Sequence, residues 1–115
     1  MGAVVNSDGR VPVVLGRLED LRPGDVLVIE AAGAWATREF VQPVVRLASA
    51  HAAGCACCAG RDPWAEALGG LFVARMRGEA ARFERVLAVL EAAAGARFAA
   101  ILEEDRLLAA RYRLS

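Results

Sequence analysis

The hydrophobic positions of this chain fall into short blocks separated by turn signals. Val11-Pro12-Val13-Val14-Leu15 is a mostly β-branched run after Ser7-Asp8-Gly9, and Val26-Leu27-Val28-Ile29 follows the turn Arg22-Pro23-Gly24-Asp25. Continuous apolar runs of this length predict strands covered on both faces, near residues 11–15 and 26–30. Arg17 to Leu21, between them, is too short for a convincing crossover helix. Phe40, Val44, Leu47 and Ala48 then recur at helical spacing among Arg38, Glu39 and Arg46. Because Pro43 is unfavourable inside a helix, the pattern predicts one starting there, over about 43–52.

The clearest helix lies near 63–77. Asp62 is placed to cap it, Pro63 suits its first position, and Trp64, Leu68, Leu71, Phe72 and Met76 line one face up to the stop at Gly78. Phe83 to Glu91 fits either a helix or a buried parallel strand; taken as a strand near 84–90, it adds to a small sheet. From Arg97 onward, Phe98, Ile101, Leu102, Leu108 and Tyr112 are set against Glu103, Glu104, Arg106 and Arg111, predicting a helix near 96–113. No internal repeat or linker interrupts the chain. The expectation is one α/β domain over residues 1–115: three layers, with a short, mostly parallel sheet flanked by helices. So small a sheet leaves edges open, which favours a homodimer.

Composition narrows the partners. The 115 residues suit one domain, and 57% are hydrophobic, above the roughly 45–50% of ordinary soluble domains. Much of the surplus is alanine, yet it points the same way as the open edges, towards a second copy of the chain. The 14 basic and 14 acidic side chains cancel, and no basic stripe tracks phosphates, so nucleic acid is not an expected partner. Every basic side chain is arginine, which with the Ala and Gly content suggests a GC-rich, bacterial genome. The first residues lack a signal-peptide pattern, and no apolar run approaches the roughly 18–20 residues of a membrane span. The expected location is the cytoplasm, with no membrane partner.

In a reducing compartment, three thiols within four positions change the picture. Cys55-Ala56-Cys57-Cys58 lies between Gly54 and Gly60, and this spacing can bring at least two sulfurs to one ion. Thiolates are soft donors suited to zinc, Cu(I) and Fe–S clusters. The competing reading is three small buried hydrophobes. His51, the only histidine, is the candidate fourth ligand, with water or a carboxylate such as Glu30 as alternatives. A disulfide between adjacent Cys57 and Cys58 would be strained. Cys55 and Cys58 sit three apart, so a thiol redox role stays open.

Ala53-Gly54-Cys55-Ala56-Cys57-Cys58-Ala59-Gly60-Arg61-Asp62 resembles the GCxCC segment of the CobW-type P-loop GTPases, a metallochaperone family. Ala67 to Phe72 with Arg75 to Glu79 resembles the helix that follows that motif. Phe83-Glu84-Arg85-Val86-Leu87 resembles the family's "FDRVV" strand, and Leu107 to Leu114 its "LAARYRL" segment. More loosely, 11–15 is similar to the family's first strand. The resemblance implies a truncated P-loop G-domain-like architecture. It also implies a metal cargo, usually zinc, on Cys55, Cys57 and Cys58, with Glu30 standing near the family's acidic ligand.

The departures are equally specific. After the first strand this chain reads Gly16-Arg17-Leu18-Glu19-Asp20-Leu21 in place of GxxGxGKT, so it has no phosphate cradle, no phosphate-binding lysine and no Mg²⁺-binding hydroxyl. The run to Glu91 lacks the hydroxyl residue that follows the acidic one in the family. The expectation is therefore a non-catalytic, zinc-binding relic that binds no GTP. Its expected partners are the metal ion, a second copy of the chain, and a full-length CobW-type GTPase or a metal-requiring client protein.

Overall fold

Turn chemistry sets the limits of the first two strands. In the computed structural model, which describes residues 9–33, 35, 37–48, 62–78 and 83–115, β1 spans Val11–Leu15 and β2 spans Asp25–Glu30. Between them lies a 3₁₀ turn, Leu18–Asp20, whose Asp20 carboxylate accepts the Arg17 backbone N–H at 2.9 Å. Gly24 leads into β2 with φ of 89°, a backbone value that strains residues with a Cβ. Strands β3 (Val44–Leu47), β4 (Arg85–Val89) and β5 (Tyr112–Leu114) complete a five-stranded sheet in the order β3-β2-β4-β1-β5. Every neighbouring pair is parallel.

Helix α1 (Pro63–Arg77) matches its sequence signals: Asp62 caps it, and Gly78 closes it with φ of 74°. The either-or segment 84–90 is a strand. Two expectations change. Residues 44–47 form a strand rather than part of a helix over 43–52, because β-branched Val44 and Val45 pair alongside Leu27 and Val28 of β2. The rest of that expected helix, 49–52, lies outside the described residues. The single helix expected over 96–113 is instead α2 (Ala92–Glu104), α3 (Arg106–Arg111) and β5. Asp105 makes the break: its backbone leaves helical values, and its Oδ1 accepts the N–H groups of Leu107 and Leu108, both at 3.1 Å.

The sheet alternates strictly between two cores. Val13, Val26, Val28, Val86 and Ala88 pack with Trp64, Leu68, Phe98, Leu102 and Leu108, so all three helices lie on this face. Leu27, Ile29 and Leu87 point to the other face, where Leu18, Leu21, Trp35 and Phe40 cover them. Among the described residues, the third layer is thus a 3₁₀ turn and a loop. Strand order explains this division. The steps β1 to β2 and β2 to β3 travel towards one edge, while β3 to β4 and β4 to β5 travel back. A common crossover hand requires connections travelling in opposite directions to use opposite faces, and here they do.

Candidate metal centre

The connection from β3 to α1 carries the four principal ligands expected from the sequence. His51, Cys55, Cys57 and Cys58 all lie outside the described residues. The structure does fix the roots of that connection, Ala48 after β3 and Asp62 before α1. Both are at the carboxyl ends of the parallel strands, the side on which open α/β sheets hold their ligands.

The roots are tied to each other and to α2. The Trp64 indole N–H donates to the Ala48 carbonyl at 2.9 Å. Asp62 accepts the Trp64 backbone N–H on Oδ1 at 2.8 Å, and Arg97 Nη2 on Oδ2 at 2.6 Å. The Arg97 guanidinium lies 4.0 Å from the centroid of the Trp64 ring, a cation–π contact. Its Nη1 is buried with no hydrogen-bond partner among the described residues.

Beside these roots opens a cavity of about 330 Å³ at the ends of β2, β3 and β4, with Glu30, Ala48, Trp64, Glu91 and Arg97 in its wall. Glu30 ends β2, and its Oε2 accepts the Glu91 backbone N–H at 3.0 Å. Its carboxylate therefore sits at the start of α2, where the helix dipole favours negative charge. Arg97 is already matched by Asp62, so among the described residues the charges left in the wall are the carboxylates of Glu30 and Glu91, beside the positive pole of α2. Among the described residues, no group of three or more His, Cys, Asp or Glu side chains could hold a metal ion.

The neighbouring groove, at the ends of β1 and β4, lies where the outgoing connections diverge to opposite faces. Leu15, Gly16, Arg17, Glu91 and Gly95 line it. The Gly16 N–H donates to the Ala88 carbonyl at 3.0 Å, so the residue after β1 remains bound to β4. A Cβ on Gly16 would come within 2.8 Å of Asp20 Oδ2. The 3₁₀ turn that follows Gly16 is held by the Asp20 carboxylate on the Arg17 N–H.

No known protein family, curated protein or solved structure matches the chain. No helix among the described residues is long and apolar enough to cross a membrane. Sequence reasoning found Asp62 as a cap and Glu30 as a candidate ligand. It did not find the place of Arg97, a single charge in the small-residue stretch Gly95-Ala96-Arg97, whose partner lies 35 positions away.

Proposed function

We propose that this chain is a non-catalytic zinc-binding protein of the reducing cytoplasm, a CobW-like relic that stores, senses or transfers the ion without a nucleotide switch. One observation carries the reading. Cys55-Ala56-Cys57-Cys58 belongs to a connection whose two roots lie beside a cavity lined by the carboxylate residues Glu30 and Glu91. Thiolates and carboxylates together form a donor set that zinc accepts. The turn after β1, with its Arg17 N–H already taken by Asp20, supports a protein that works without GTP.

Protein purified without oxygen should carry about one zinc per chain, or one per dimer, by elemental analysis. Replacing Cys55, Cys57 and Cys58 by Ser should abolish it. A wild-type chain that retains no stoichiometric metal, and takes up none below micromolar free zinc, would rule the reading out.

A second reading is a structural partner, pairing with its own copy or with a full-length CobW-type GTPase. It is favoured by the outer edges of β3 and β5, which carry no neighbouring strand among the described residues. Native mass determination of the metal-free chain decides this: a dimer supports it, and a monomer that ignores such a GTPase opposes it.

A further inference from the structure

The end of the sheet opposite the candidate cavity carries its own cluster of charge. Helix α1 descends from Asp62, at the carboxyl ends of the strands, and Arg111 directly precedes β5, so the last turn of α1 and the end of α3 lie at the amino ends. There the Arg111 guanidinium lies 5.0 Å from the Phe72 ring centroid, and Phe72 meets Tyr112 edge to face at 5.8 Å. Arg75 lies 5.2 Å from the Phe83 centroid, and its Nε donates to the Phe83 carbonyl at 2.8 Å. Burial raises the pKa of the Tyr112 phenol, and Arg111 and Arg75 both act against that rise, so the two cations stand close to one side chain.

Apolar surface lies among these charges. Met76 is one turn beyond Phe72 on α1, and Leu107 one turn before Arg111 on α3, so both share the helix faces that make the Arg111–Phe72 contact. They are 67% and 51% exposed, and Arg77, beside Met76, is exposed too. Among the described residues no carboxylate pairs with Arg75, Arg77 or Arg111, although the chain as a whole is neutral.

Exposed apolar residues and solvated arginines are each ordinary when they occur singly. Here they coincide, and two of the cations are held on aromatic rings. A stacked guanidinium keeps its planar fork in one orientation, so less side-chain freedom is lost when a carboxylate docks. Met and Arg are both enriched where proteins meet. We propose that this surface docks an acidic segment of a partner protein, whose carboxylates meet Arg75, Arg77 and Arg111 and whose apolar side chains cover Met76 and Leu107. An anionic membrane fits less well, because it is bound by clusters of roughly 4–8 basic residues that act by number rather than by orientation. The surface lies at the other end of the sheet from the candidate metal cavity, so the inference is independent of the zinc reading.

The probe is a fluorescent synthetic peptide of Glu-Glu-Leu repeats, titrated with the full-length chain and followed by anisotropy. Binding should saturate and weaken as salt rises. A Lys-Lys-Leu counterpart should not bind, and a Glu-Glu-Ser counterpart should bind about tenfold more weakly or worse. The double variant Arg77→Gln/Arg111→Gln and, separately, Met76→Ser should each weaken binding about tenfold. Arg17→Gln removes the same charge at the carboxyl ends and should change nothing. Circular dichroism checks the fold; if the double variant unfolds, Arg77→Gln and Met76→Ser, both at exposed positions, decide. Absence of saturable binding, an equal loss from Arg17→Gln, or a Glu-Glu-Ser peptide that binds as well as Glu-Glu-Leu would overturn the proposal. Binding to phosphatidylserine vesicles that the same variants abolish, without peptide binding, would also overturn it, in favour of a lipid surface.

Discussion

Asp25 shows how a single residue ties stability to pH. Among the described residues it is the only charged side chain in the core, 3% exposed. Arg85 reaches it twice, Nε to Oδ1 at 2.8 Å and Nη2 to Oδ2 at 2.6 Å, and the Arg22 backbone N–H adds a bond at 2.9 Å. Burial opposes ionisation, but the hydrogen bonds from Arg85 and Arg22 and the charge of Arg85 outweigh it, so the carboxyl lies below the ordinary carboxylate range. The unfolded chain therefore binds this proton more readily than the folded one. The stabilisation is complete above the unfolded value of about 4 and is lost as pH falls through the lower folded value. Asp25→Asn should cost about 3 kcal/mol at neutral pH, because Arg85 keeps a buried charge without its partner. Urea unfolding at pH 7 and pH 3 should show a smaller acid loss for the variant than for wild type. Equal losses would mean that Asp25 does not carry the effect.

At the scale of elements, Asp105 separates α2 from α3 and so decides that the chain can turn into β5. Asp105→Ala removes the cap on Leu107 and Leu108 and should lower stability by about 1 kcal/mol, visible as a reduced thermal midpoint. An unchanged midpoint would show that packing alone sets the break. The same region shows where sequence stops being informative. Leu108 and Tyr112 are four apart, so the apolar stripe continues smoothly although the backbone does not, and β5 is only Tyr112-Arg113-Leu114. Strand β3 is obscure for a related reason. It is a four-residue edge strand whose burial is partial at Val44 and Val45, absent at Arg46 and full only at Leu47, so no alternation marks it. β1 and β2 are legible because buried strands need continuous apolar runs, and α1 because both its cap and its glycine stop are written in the chain. In the candidate site, the thiol spacing is legible without coordinates. The Glu30–Glu91 contact is not, since it joins residues 61 positions apart.

Across the whole molecule, the sheet is supported unequally. The helices cover the face carrying Val13, Val26 and Val86, while the opposite face relies on Leu18, Leu21, Trp35 and Phe40 from a turn and a loop. Arg38 steadies that loop, lying 5.5 Å from the Trp35 ring centroid and 5.1 Å from that of Phe40, and Arg46 Nη2 donates to the Arg38 carbonyl at 2.8 Å. Next to these anchors, Val41 is fully exposed at 100%. On the helical side, α1, α2 and α3 pack directly on the strands they cover, so a residue added within a helix would disturb that packing. Among the described residues no helix flanks Val41 in the chain, and its neighbours Phe40 and Gln42 are only half-buried. The thin layer is therefore where the fold can accept insertions, so an added segment or a whole appended domain could grow from that loop while Trp35 and Phe40 kept the sheet closed beneath it.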